Sequence, residues 1–264
     1  MIHSRAVWCG SLVAVALTLG ACPAKQVTFV PAEGRTAGLP DDVTRLVEIS
    51  DSVAASHPQT PAEADRGLAA VEKALELGPE HPYEVLWRLS RDAHTMADLL
   101  TVPSQKETYA RRGRKYGEQA TQQEGSRVEG WYYTAVNIAR VAEATSQASE
   151  LGEVVKLAQK AADIDASYDE AAPLRLLGKV YMVAPEWPTS VGDRDKAVEV
   201  LKRAVALSAT PLNRLFLGEA LYHAEEHEAA VGQLRRALKD GEGGGLEARW
   251  VDEAKDYLRR LGER

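Results

Sequence analysis

The stretch L-G-E-A-L-Y-H-A-E-E-H-E-A-A-V-G-Q-L-R-R-A-L, residues 217–238, decides how this chain folds. Leu217 and Gly218 lie on one helical run; Ala230, Leu234 and Ala237 lie on a second. H-A-E-E-H (223–227) falls at the junction between them. Small residues allow two helix backbones to approach, and larger apolar ones fill the space between them. The stretch therefore predicts an antiparallel helical hairpin.

Working outward, the same scheme recurs. Residues 177–207 carry Leu177, Gly178, Ala197, Leu201 and Ala204 at the matching places, separated by an inserted loop. Earlier helical patterns end alike, on an apolar residue, two polar ones and an alanine. The key alanines are Ala74, Ala120, Ala161, Ala204 and Ala237, spaced 46, 41, 43 and 33 residues apart. The last spacing is close to the roughly 34-residue period of the tetratricopeptide repeat, which the 217–238 unit resembles. Helix pairs are expected near 41–56 with 61–77, 82–99 with 105–121, and 128–145 with 149–163, followed by the two units above. A final helix near 246–261 presents Leu246, Trp250, Ala254, Tyr257, Leu258 and Leu261 on one side and charge on the other, as the end cap of a solenoid does. No stretch alternates with period two for long enough to make a strand. The expected fold is all-α: a tetratricopeptide-like solenoid of about five helix pairs plus a C-terminal capping helix.

The start of the chain reads differently. Arg5 is followed by the uncharged run 6–19 and then Leu19-Gly20-Ala21-Cys22. The apolar run is too short to span a bilayer comfortably and has the form of a secretion leader. Its exit resembles the bacterial lipobox, which implies a leader over 1–21 and lipidation of Cys22. Residues 22–40, rich in proline and glycine, read as a flexible tether, and 41–264 as the helical domain. Pro23 rather than aspartate after Cys22 favours the outer membrane, on the periplasmic side of the envelope. With Cys9 lost in the leader and Cys22 acylated, the domain keeps no thiol for a disulfide, a nucleophile or a zinc site. The formal charge of −7 argues against a nucleic-acid partner.

Four stretches, E-G-W-Y-Y-T-A-V-N-I-A-R (129–140), D-A-S-Y-D-E-A-A-P-L-R-L-L-G (165–178), Y-M-V-A-P-E-W-P-T-S-V-G-D-R-D-K-A-V-E-V-L-K-R-A-V (181–205) and P-L-N-R-L-F-L-G-E-A-L-Y (211–222), occur in order. Together they are similar to the T component of TRAP-type transporters over about residues 60–262. That resemblance implies a lipidated periplasmic protein without catalysis or cofactor. It also implies association with a solute-binding protein and a groove or pore for a small organic or hydrophobic ligand, with assembly into homo-oligomers open. A general envelope scaffold holding a peptide or an assembly partner is the alternative.

Candidate contact residues follow from position. Trp131, Tyr132 and Tyr133 spread over about 200° of a helix, so at least one faces a groove; either they form an aromatic wall or Trp131 packs between helices. Asn137 and Arg140 follow one and two turns later. Arg175 and Lys179 take the equivalent helix of the next pair, and Asn213 and Arg214 open the one after. These bases either hold a carboxylate, as arginine does bidentately, or pair with neighbouring acids. Trp187, in the stiff loop 184–193, either makes a contact surface or tucks back onto the helices. His223 and His227 lack the H-E-x-x-H pattern of a zinc protease, and no nucleotide-binding or serine-hydrolase motif is present.

Overall fold

The computed structural model describes residues 26–263; the leader, Cys22 and the proposed acylation lie outside the described residues. Eleven α-helices are described: α1 (Val43–Ala55), α2 (Pro61–Glu76), α3 (Pro82–Leu99), α4 (Pro103–Gln123), α5 (Val128–Thr145), α6 (Leu151–Ile164), α7 (Tyr168–Val183), α8 (Arg194–Leu207), α9 (Pro211–His223), α10 (His227–Asp240) and α11 (Ala248–Arg260). A single isolated bridge, Glu186 to Gly192, is the only β-pairing among the described residues. No described helix is long and apolar enough to cross a membrane.

The boundaries follow from local chemistry. Thr60 caps α2 through a reciprocal bond with Glu63, and Pro61 sits where no amide donor is needed. Asp42, Asp193 and Thr210 cap α1, α8 and α9 by accepting from Arg45, Lys196 and Asn213 amides. Neighbouring helices then pair as α1/α2, α3/α4, α5/α6, α7/α8 and α9/α10. The first helices α3, α5, α7 and α9 also lie side by side, with α11 packed on α9 and α10.

The repeat residues explain the packing. All five key alanines are fully buried. A Cβ on Gly178 would fall 2.3 Å from Leu201 Cγ, and one on Gly218 would fall 2.7 Å from Leu234 Cγ. In each of these two pairs the second helix therefore drives a leucine into the notch that glycine leaves on the first. The result is a chain of cores rather than one centre: one around Leu46, Leu68 and Leu89, one around Ile138, Val154 and Leu174, and one around Leu201, Leu215 and Leu234.

The stretch expected to be a free tether is held to the array from Val27 onward. The Val27 amide donates to Thr101 Oγ1 (2.7 Å), the Thr101 amide donates to the Val27 carbonyl (3.2 Å), and Gln105 pairs with both backbone groups of Phe29 at 3.0 Å. Phe29 and Leu39 pack on the first core, and Arg35 pairs with Asp65 and Glu72 on α2. The segment has no helical period: its start is bonded by Thr101 and Gln105, and further on it makes only local turns, with the Ala37 and Leu39 amides donating to the Gly34 and Thr36 carbonyls.

Candidate functional site

The first helices present one continuous face, and the aromatic side chains gather there. Trp87 on α3 stacks on Tyr133 of α5 with ring centroids 6.1 Å apart. Tyr132 meets Tyr133 edge-on at 5.0 Å and Tyr168 of α7 at 5.6 Å. The guanidinium of Arg88 lies 4.1 Å above Trp87, favourable for a cation over an indole. Tyr132 and Tyr133 are neighbours in sequence, so one points to α3 and the other to α7; together they tile three helices. Burial pushes the Tyr132 hydroxyl up to about 12, with Arg175 opposing the shift and Asp169 adding to it. The phenol therefore remains a proton donor throughout the physiological range.

Trp131 does not belong to this wall. Its indole N–H donates to the Gly125 carbonyl at 2.9 Å, which ties it to the α4–α5 turn. Asn137 and Asn213 are corrections too, because both are fully buried. Asn137 Nδ2 donates to Ser90 on α3 and to the Tyr133 carbonyl (2.8 Å), and its amide fills the notch above Gly113 of α4. Asn213 Nδ2 donates to the carbonyls of Glu170 (2.8 Å) and Ser208 (2.7 Å). These bonds fasten helices to one another and leave both amides closed to a partner, although Asn137 Oδ1 is itself buried without a hydrogen-bond partner.

The basic residues divide. Arg140 pairs with Asp98 and with Glu143. Lys179 lies 2.7 Å from Glu219 and 4.9 Å above Phe216. Arg214 pairs with Asp240 at 3.1 Å within its own hairpin. Arg175 differs: its Nη1 donates to Asn213 Oδ1 (2.9 Å) and to the Glu170 carbonyl (3.1 Å), and it has no carboxylate partner among the described residues. It faces Tyr132 closely enough to counter that hydroxyl's shift. Arg175 is thus a groove cation held by neutral acceptors, with its charge available.

The backbone beside it is strained. Asp169, Glu170 and Ala171 all adopt left-handed conformations, with φ of 45°, 57° and 65°. Each costs roughly 1–2 kcal/mol for an L-residue. The right-handed part of α7 begins only after them, which is why Pro173 is tolerated there. The turn is clamped by Arg175 and Asn213, both bonded to the Glu170 carbonyl. Strain of this kind persists where surrounding contacts fix it, and it concentrates at binding sites.

Two features lay outside the reach of sequence reasoning. First, Arg249 of α11 donates from both Nη atoms to Asp98 Oδ2 of α3 at 3.1 Å. Asp98 already holds Arg140, so side chains of α3, α5 and α11 meet there although α11 itself packs on α9 and α10. Burial alone raises Asp98, but Arg140, then His94 and Arg249, hold it at about 2. His94 beside it is driven to about 4 by burial and by Arg140, and its Nδ1 is buried without a partner. Second, Glu219 on α9 is nearly fully buried and accepts from Lys179 and from the Tyr257 hydroxyl (2.9 Å). Trp250 packs edge-on against Phe216 at 5.3 Å. The face therefore offers aromatic rings, a guanidinium without a carboxylate partner among the described residues, and phenol donors between paired charges. Trp187 lies outside it, on the α7–α8 loop, 84% exposed.

The family model for regulator of microtubule dynamics proteins 1–3 matches residues 50–179, just under half of the chain. No curated protein sequence matches significantly. Among solved structures, the chain is similar to TTC0263, a thermophilic tetratricopeptide-repeat protein of Thermus thermophilus. Identity is 19%, covering 83% of this chain and all of that one, with a TM-score of 0.64. Yeast Tom70 matches at 13% identity over 84% of this chain and 41% of its own, with a TM-score of 0.54. These likenesses show the fold: a tetratricopeptide-type helical solenoid.

Proposed function

We propose that this chain is a non-catalytic scaffold whose first-helix groove, centred on Tyr132, Tyr168 and Arg175, holds a protein partner at the cell envelope. The observation that carries the reading is Arg175: a groove cation without a carboxylate, beside an aromatic wall and a strained turn that the fold holds in place. Solenoid proteins of this type use such concave faces to bind extended surfaces. The mixture of paired charges and phenols suits a protein surface better than a wholly apolar ligand.

The finer reading takes the partner to be a TRAP-type solute-binding protein, with a small organic acid as a further occupant, and the chain to be lipidated at Cys22 on the periplasmic side of the outer membrane. Support comes from the sequence resemblance over residues 60–262 and from the lipobox-like Leu19–Cys22. We carry no cytoskeletal partner over from the microtubule-regulator likeness, because residues 1–21 read as a secretion leader.

Calorimetry with a purified solute-binding protein from the same envelope tests this. Binding by the wild-type chain is expected to weaken at least about tenfold in both Tyr132→Ala and Arg175→Met, as truncation of a central anchor does. No binding by the wild type removes the transporter reading. Binding that both variants leave intact removes the groove.

A further inference from the structure

We propose that the edge of the array formed by the first-to-second-helix turns lies against a lipid bilayer, with Trp187 seated among the headgroups. The proposal rests on the lipid-anchor reading, since it takes Cys22 as the point of attachment.

The topology defines the edge. In each antiparallel hairpin the first helix ends where the turn begins, and α3, α5, α7 and α9 pack side by side in order. The α3–α4, α5–α6, α7–α8 and α9–α10 turns therefore open on one side of the array. Thr101, in the α3–α4 turn, exchanges two hydrogen bonds with Val27, and Gln105 in the first turn of α4 clasps Phe29. The N-terminal segment thus reaches the array at this edge. Val27 follows Cys22 by only five positions, a reach of at most about 18 Å when fully extended. An anchor at Cys22 cannot let the array drift away from the bilayer, and it sets this edge toward the lipid.

Trp187 lies on the same edge, two helix pairs along. Packed helices sit 8–10 Å apart, so it falls roughly 20 Å from the Val27 attachment. Its loop is built, not loose. Amides of Thr189 and Gly192 donate to the carbonyls of Glu186 (3.0 Å) and Pro185 (2.9 Å), and the Asp193 amide donates to the Tyr181 carbonyl (2.9 Å). Val191 packs inward on the middle core. A Cβ at Gly192 would lie 2.1 Å from the Ala184 carbonyl oxygen, so the base of the loop is closed tightly. The frame holds the indole out into solvent. Arg194 Nε lies 3.4 Å from Glu186, while Asp193, Asp195 and Glu225 line the same hollow beside Trp187. Val30, beside the clasped Phe29, is likewise 82% exposed, whereas Leu77 and Leu207, at the opposite edge, are shielded by about half. Tryptophan with an apolar body and one polar N–H suits the headgroup layer.

The test uses the acylated chain in phosphatidylethanolamine–phosphatidylglycerol vesicles. Trp187→Cys, at an exposed site the core does not need, is labelled with an environment-sensitive dye; Leu207→Cys labels the opposite edge. With Cys22 in thioether linkage and Cys9 gone with the leader, each variant has one free thiol. The dye at 187 is expected to shift to the blue and to be quenched by spin-labelled lipid several-fold more than the dye at 207. Equal quenching at both positions, or none at 187 in protein that floats with the vesicles, overturns the proposal and leaves the anchor standing. A chain that neither takes up palmitate nor floats overturns both.

Discussion

Gly178 shows how much a single missing methyl controls. Leu201 occupies the space its Cβ would need, so Gly178→Ala should destabilise the chain by about 1–3 kcal/mol in urea unfolding. Adding Leu201→Ala should give less than additive loss, since the two share one contact. Gly232, inside α10 with nothing near its Cβ position, should behave oppositely: Gly232→Ala should raise stability by about 0.5–1 kcal/mol. His94 makes a pH prediction. Its folded value of about 4 lies below the ordinary 6.5, so the unfolded chain binds more protons between these values. Its contribution is complete above pH 6.5 and is lost as pH falls toward 4, by an amount on the order of 3 kcal/mol. Unfolding of His94→Phe followed from pH 7 to 4 should show a shallower acid slope than the wild type. The asparagines mark the limit of reading residues from sequence. Asn137 and Asn213 looked like surface polar groups because an amide on a helix carries no sign of burial, whereas Gly113 opposite Asn137 holds the matching notch only once α4 and α5 are packed.

At the scale of the element, most helix limits were legible. The expected ranges 61–77, 82–99 and 128–145 fall within a residue of the observed α2, α3 and α5. The Gly–Leu and alanine spacing likewise fixed which faces touch. The start of α7 was not legible, because Asp169, Glu170 and Ala171 carry no glycine to announce three left-handed residues. The strain is measurable. Asp169→Gly and Glu170→Gly, whose side chains are exposed, should each raise stability by up to about 1 kcal/mol by relieving the positive φ, despite glycine's entropy cost. A loss of stability in both would show that the turn is not strained. The N-terminal segment was hidden for another reason: its order comes from Thr101 and Gln105, more than 70 residues away.

In the whole molecule, the last helix reaches back to α3 through one side-chain ion pair. Arg249 and Asp98 are 151 residues apart, and nothing in either local sequence points to the other. α11 follows a glycine-rich joint in which Gly243 and Gly244 take φ of 81° and 105°; it packs on α9 and α10 through Ala254 and Tyr257 and is tied to α3 by the ion pair. Such a pair is worth up to about 1 kcal/mol at an exposed site. Arg249→Ala should therefore speed amide exchange in α11 roughly two- to fivefold, leaving α5 and α6 unchanged, and high salt should mimic the substitution. Unaltered exchange would mean that the ion pair contributes nothing. Tyr132 and Arg175 could be assigned to neighbouring first helices from the sequence, and the structure puts them there; Trp87, Tyr168 and Asp98 needed the fold to bring them beside these residues.

The central claim is that partners meet the first-helix face. The most direct measurement is photocrosslinking in the native envelope, with a photoreactive residue placed at Tyr132 or Trp250 in the groove, or at Lys160 or Glu199 on exposed second-helix surfaces. The account predicts one discrete adduct from the groove positions, abolished by Arg175→Met, and none from the other two. Adducts from Lys160 and Glu199 with a silent groove would contradict it.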